Sequence, residues 1–407
     1  MKRILFTLAA LIVLGGSAFA GIQSVPASAE DIQATYPNLV MPEDMISGEV
    51  NCMLVAGDVL YVGGRFEKMD RRVVNNVVKW DGTKWSGLNK GVDGVVYSMA
   101  MIGTDLYVAG DFSYVDVNIE AGKIARWDGT KWNALSPQTV DRQIYALAVL
   151  GNDLIIGGNF QKVGGTIETK GVAKWNGKAW SDVGMAKFDR TVLTLTVMNN
   201  EIYAGGFFTL VGDEPATSVA KWDGKAWTEV GNKGINGTVT FMTNDGKNVY
   251  AGGKFTNAGD GTVLNRVAMF DGQKWQPLGE GVDGDVKSIH ISGTDVYVSG
   301  TYREAKGGTA AAPAKEETAK GKDKKKGSKE DKGKAKAKGP VQTQGIAKWD
   351  GNGWTGYPVI GKYAVGTFAS AMFKGTLYVG GNFMANEGAV STGTAKLENG
   401  AWGPVSK

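Results

Sequence analysis

Leu60-Tyr61-Val62-Gly63-Gly64-Arg65-Phe66, and shortly after it Val77-Val78-Lys79-Trp80-Asp81-Gly82-Thr83-Lys84-Trp85, decide how this chain is read, because both phrases return along its length. The first tryptophan recurs as Trp80, Trp127, Trp175, Trp222 and Trp349, with Phe270 and Leu397 in the same slot. The second falls five residues later each time, at Trp85, Trp132, Trp180, Trp227, Trp275, Trp354 and Trp402. Those positions take up all 12 tryptophans of the 407 residues. The aromatic after the glycines recurs likewise, as Phe66, Phe112, Phe160, Phe208, Phe255, Tyr302 and Phe383. Spacings are 46 to 48 residues, apart from one near 80. A fixed period in this range marks a repeat architecture.

Each unit reads as four strands. Val96-Tyr97-Ser98-Met99-Ala100-Met101 alternates large and small residues, the pattern of a strand covered on both faces. The second strand runs from Leu106 to Gly110, and the third ends at the first tryptophan. Gly82-Thr83 then suits a two-residue type II′ loop, which pairs Asp81 with Lys84 and sets Trp80 across from Trp85; Asn399-Gly400 in the last unit suits type I′. Such a tryptophan pair adds roughly 0.5–1.5 kcal/mol beyond its buried area. The glycine pairs end strands in almost every unit and lack a following Lys-Ser or Lys-Thr. They therefore read as sites of close backbone approach rather than phosphate loops.

A four-stranded unit of this kind cannot bury both faces alone. An open solenoid would need polar capping units at its ends, yet units one and seven carry the same apolar pattern as the rest. The expected fold is all-β, a seven-bladed β-propeller of four-stranded antiparallel blades, about 47 residues per repeat, over residues 49–407.

Three segments fall outside that pattern. Met1-Lys2-Arg3, the apolar run Ile4–Leu14 and Ser17-Ala18-Phe19-Ala20 have the layout of a secretory signal peptide over residues 1–20, and residues 21–48 form an N-terminal extension. No later stretch approaches the length of a membrane span, so a secreted, periplasmic or cell-surface location follows, with no transmembrane segment after cleavage. The third segment is an insert in unit six, residues 303–345. Between Lys306 and Pro340 it holds 12 lysines against 5 acids and no aromatic residue. This composition predicts a disordered loop. It suits weak, salt-sensitive contact with anionic polymers or lipid, and no specific nucleic acid.

The glycine pair, the spaced aromatic and the tryptophan resemble kelch-type repeats, as in the galactose oxidase propeller. The phrases Val-Ala-Lys-Trp-Asp-Gly-x-x-Trp and Leu-Tyr-Val-Gly-Gly-x-Phe are more similar still to bacterial exported propellers of unassigned function. They also resemble the repeats of fungal cortical marker proteins of bud-site selection. The resemblance covers about residues 50–407 apart from the insert, and implies a fold rather than an activity. The family's arginine and third-strand tyrosine are not regular here, and tryptophan takes the tyrosine's place.

Composition removes much chemistry. One histidine and one cysteine exclude multi-ligand zinc sites and an internal disulfide. They also exclude a copper oxidase site, which needs two histidines and a cysteine-crosslinked tyrosine. His290 shares a column with Leu54, Ala100, Ala148, Thr196, Thr243 and Ala371 and reads as a core histidine, and Cys52 as an inert buried thiol. No catalytic residue, cofactor or metal is expected. The leading functional reading is a non-catalytic scaffold for a protein or glycan partner on the loop face. The alternatives are a polysaccharide-acting enzyme with its site at the channel mouth and a structural envelope protein. Candidate ligand-binding residues are Asp93, Asp141, Asp189 and Asp283, which precede the first strands and share a slot with Asn236. Arg142 and Arg190 follow two of those acids. In the loops, Tyr114 stands near Asp116 and Glu120, and Phe188 next to Asp189. Such acids either cap a turn or ring a cation.

Overall fold

The computed structural model describes residues 46–69, 72–135, 140–231, 233–307, 339–357, 363–384 and 392–405. The N-terminal 45 residues, including the expected signal peptide, lie outside them, as does most of the insert. Among the described residues there is no helix. The same antiparallel four-stranded sheet recurs in every repeat unit, consistent with a propeller-like repeat fold. In unit one its strands are Ile46–Ala56, Val59–Met69, Val77–Trp80 and Trp85–Gly87, so the repeat begins slightly earlier than residue 49. In unit two they are Val95–Ile102, Asp105–Asp111, Ile124–Trp127 and Trp132–Ala134. The remaining first strands are Ile144–Leu150, Val192–Met198, Thr238–Asn244, Val286–Ser292 and Tyr363–Phe373.

The outer hairpin follows the expected register. Trp80 pairs with Trp85, Trp127 with Trp132, Trp175 with Trp180, Trp222 with Trp227, Phe270 with Trp275, Trp349 with Trp354 and Leu397 with Trp402. Ring centroids in unit one are 5.1 Å apart and in unit four 5.9 Å. The turn differs in one respect. Asp81 N donates to Lys84 O at 3.3 Å, but the return bond from Lys84 N goes to the Asp81 side chain, at 2.7 Å, as does that from Thr83 N. Asn176 holds its own turn in the same way. In the last unit Asn399 and Gly400 both have positive φ, 51° and 78°, as a type I′ turn requires.

Second tryptophans also tie neighbouring units together. The Trp132 indole N–H donates to Leu88 O at 2.8 Å, Trp227 to Val183 O at 2.8 Å, Trp275 to Val230 O at 3.2 Å and Trp354 to Leu278 O at 3.2 Å. Each acceptor lies just past the fourth strand of the preceding unit. Each of these four tryptophans thus fills the core of its own sheet and satisfies a carbonyl of the next one back, whereas the Trp85 and Trp180 indole N–H groups are buried without a partner.

Glycine pairs close the sheets from inside. A Cβ on Gly63 would lie 2.6 Å from Val96 of unit two, and one on Gly252 2.3 Å from Val286 of unit six. The matching Gly380 of unit seven abuts Val50 of unit one, again at 2.3 Å. Successive first strands touch along the chain, and Ile46–Ala56 touches Tyr363–Phe373. Val50, Trp85, Ala369, Tyr378 and Val405 share one apolar cluster.

The insert is narrower than composition indicated. Glu304–Lys306 is a strand that pairs with Gly281–Val282 on one side and Val341–Gln342 on the other. Residues 303–307 and 339–345 therefore belong to the fold, as a stem; residues 308–338 lie outside the described residues.

Candidate functional site

The second glycine of each pair has a different duty. A Cβ on Gly64 would stand 2.0 Å from Glu49 O, one on Gly110 1.9 Å from Val95 O, and one on Gly300 2.0 Å from Asp285 O. The carbonyl enters that space because the first strand is bulged immediately afterwards. Its pairing skips one residue in every unit: Asn51, Tyr97, Tyr145, Leu193, Thr240, Lys287 and Phe368. A bulge leaves the extra residue out of the ladder and re-aims its side chain. All of these residues line one cavity of about 540 Å³, to which every first strand contributes. The bulges sit at the start of strand one, at the sheet end shared with the loops after strands two and four.

The repeat is otherwise strict, yet these residues are unlike one another. Tyr97 and Tyr145 lean together with ring centroids 5.2 Å apart and planes at 43°. Burial pushes both phenols up, and Asp111 adds to this; the Arg65 charge near Tyr97 acts in the opposite direction. Asp111 is held by Lys123 at 2.9 Å and by Gln143 Nε2 at 3.3 Å. The Lys123 bond leads in keeping its carboxyl below the usual range, against a smaller opposing effect of burial. Asn51 Nδ2 donates to Val96 O at 3.2 Å, which fixes its orientation. His290 and Cys52 also lie in the wall. Burial lowers the His290 pKa, so the ring is neutral at pH 7, and its Nε2 has no hydrogen-bond partner. Burial pushes the Cys52 thiol up to about 12, which removes it from nucleophilic chemistry at neutral pH.

The candidate acids sit elsewhere in the unit. Asp93 Oδ1 accepts from Ser113 N and Tyr114 N, both at 2.8 Å. Asp141 accepts from Gln161 N and Lys162 N, Asp189 from Thr209 N and Leu210 N, and Asp283 from Arg303 N and Glu304 N, between 2.7 and 3.1 Å. Asn236 does the same for Thr256 and Asn257. The amides captured are the two that follow the repeat aromatic, so each side chain staples the loop after strand two rather than its own loop. For Asp189, burial raises the carboxyl pKa, but the Thr209 and Leu210 amides and the Thr209 hydroxyl outweigh it. Among the described residues no three His, Cys, Asp or Glu side chains come together as metal ligands would.

Phe188 is only 2% exposed, packed edge-on against Phe208 and Trp227, and so is out of a ligand's reach. Tyr114 is 43% exposed in a short hairpin opposite Glu120. Asp116 accepts from Lys90 N at 3.1 Å. Arg190 lies over the Phe207 ring at 4.7 Å, and Arg142 is exposed. The structure does not bring these residues to the bulge cavity. The bulge residues are not among the sequence candidates, because strict alternation along the first strand hides an extra residue. The signal was present in the glycine pair together with Val96-Tyr97-Ser98, where two large residues stand side by side.

A scan against known protein families finds no match, and a search of curated proteins finds none. Among solved structures, the chain is similar to the extracellular domain of BT4673 from B. thetaiotaomicron, described once as a one component system and once as a hybrid two component system. The two comparisons give 10% and 11% identity, TM-scores of 0.51 and 0.50, and cover 88% of this chain. This chain spans about two fifths of those chains, 39% and 38%. The computationally designed Ika8 protein is also found, at 13% identity and a TM-score of 0.48, covering 91% of this chain and 90% of that one. At these identities the likeness concerns the fold, an all-β repeat. Among the described residues no helix is long and apolar enough to cross a membrane.

Proposed function

We propose that this chain is an exported, non-catalytic binding or sensing domain, a seven-bladed β-propeller closed into a ring, whose ligand enters the central channel from the loop face. One observation carries the binding reading: the bulge positions, equivalent in every unit, hold seven side chains that are nearly all different and all line one cavity. A ring with only a structural duty has no use for such variety. A cavity of about 540 Å³ falls within the usual range for small-molecule sites, roughly 300–1,000 Å³. Closure is supported by the approach of Gly380 to Val50 and by the core that the first and last units share. Similarity to an extracellular domain and the signal-like N-terminus favour a location outside the cytoplasm. The loop face also offers room for a protein or glycan partner.

Glycan-array and small-molecule thermal-shift screening of the full chain tests this reading, with the Tyr97→Ala, Tyr145→Ala double variant as control. Ligands that lose at least tenfold in affinity in the double variant support it. Ligands bound equally by both proteins place the site elsewhere and overturn it.

A further inference from the structure

The charges around the channel are not all paired. Glu49 stands opposite Arg65 in the strand register, without an ion pair to it among the described residues. Asp111 is taken by Lys123, and Asp285 by Lys254 at 3.0 Å. His290 is neutral. Lys287, half-buried at the bulge of unit six, has no carboxylate within ion-pair distance among the described residues. Among the described lining residues its ammonium is the one cation of the cavity wall, and Glu49 of unit one, likewise without an ion pair, the one carboxylate. An ammonium partly withdrawn from water gains most from an anion that brings its own hydrogen-bond acceptors.

The rest of the wall selects what carries that anion. Tyr97 and Tyr145 form an aromatic pair in units two and three, well round the wall from Lys287 in unit six. Flat aromatic surface favours a ring with an apolar face. Glu49, Thr243 and the phenolic hydroxyls would be left unpaired by a purely hydrocarbon ring, a loss avoided when the ligand carries hydroxyls of its own. The cavity volume of about 540 Å³ is in the range of small-molecule sites.

We infer that the channel binds a small sugar bearing one acidic group, with Lys287 pairing the anion and Tyr97 and Tyr145 stacking the ring. This rests on the channel-binding reading above. Calorimetric titration of the full chain with glucuronate, glucose 6-phosphate, glucose and benzoate tests it, alongside the Lys287→Met and Lys287→Arg variants. Glucuronate or glucose 6-phosphate should bind at least tenfold tighter than glucose, and whichever is tighter identifies the acidic group as carboxylate or phosphate. Lys287→Met should erase the preference, Lys287→Arg should keep most of it, and all variants should keep the wild-type unfolding midpoint. Glucose binding as tightly as the acids, with Lys287→Met silent, overturns the anion inference while the channel reading stands. Benzoate matching glucuronate overturns the sugar, and absence of binding by all four probes overturns the inference as a whole. The channel reading itself fails separately, if array ligands survive loss of both tyrosines.

Discussion

The outer hairpin and the bulged first strand belong to the same repeat and obey opposite rules. Along the hairpin, equivalent positions hold the same residue type: tryptophan faces an aromatic in six pairs and leucine in the seventh. Along the bulge, equivalent positions hold Asn, Tyr, Tyr, Leu, Thr, Lys and Phe. The hairpin side chain fills its own core and in several units also satisfies a neighbour's carbonyl, so few residues can replace it. The bulge side chain lines the cavity, and although Asn51 and Thr240 also bond to the first strand of a neighbouring unit, no single residue type is required there. Within one chain, uniformity marks what folding demands, and variety marks where a surface is free to be specific.

The contrast breaks most readily at the tryptophans. Trp132→Ala removes a buried ring and its bond to Leu88 O and is expected to cost about 3–5 kcal/mol in denaturant unfolding. Trp132→Phe keeps most of the packing and should cost about 1–2 kcal/mol. Equal, small losses in both variants would mean that the hairpin is not a core element.

The loop staple comes next in size. Asp93→Ala leaves the Ser113 and Tyr114 amides without their acceptor and should cost about 1–2 kcal/mol, whereas Asp93→Asn should be nearly neutral, because Asn236 already does this work. A large loss in the Asn variant, reversed by calcium, would instead indicate an ion site.

A smaller effect is expected at the hairpin turn. The Thr83 hydroxyl, followed by the Lys84 and Thr83 amides, holds the Asp81 carboxyl at about 2, below the usual value near 4. A carboxyl depressed in the folded state stabilises fully above its unfolded pKa, and that contribution is lost as pH falls through the folded one. The Asp81 contribution should therefore disappear between about pH 4 and pH 2, seen as a carboxyl resonance titrating near 2. Titration near 4 would show the turn to be open.

Least of all should happen at the bulge. Leu193→Ser and Lys287→Met are expected to leave stability within about 0.5 kcal/mol of wild type, since neither side chain is fully buried. Losses comparable with those of Trp132→Ala would erase the contrast between the two regions.

Much of the fold was legible because its signals are local. A glycine pair, a tryptophan five residues from its partner and a two-residue turn each need only short stretches of chain. Register across the hairpin followed from turn length alone. The candidate site was less legible. Asp93 and its equivalents stood out by their spacing, but the amides they bind lie 20 and 21 residues away, in a loop whose path the sequence does not show. The bulge was hidden for a related reason: one extra residue in a strand changes facing without changing composition, and only the partner strand reveals the mismatch. Phe188 misled because an aromatic between charged residues reads as exposed, whereas Phe208 and Trp227 cover it.

The stem of unit six has a consequence for engineering. Glu304 pairs with Gln342 and Ala305 with Val341, so two chain ends leave the sheet side by side, about 5 Å apart across a strand spacing. On both sides of this gap the Trp354 indole still reaches Leu278 O, although 76 residues rather than 44 or 45 now separate donor and acceptor. The unit thus tolerates a long insertion without surrendering its tie to the preceding unit. A cargo module whose own termini lie close together is expected to be accepted between Gly307 and Gly339, carried on the stem while the four-stranded sheet of unit six keeps its register.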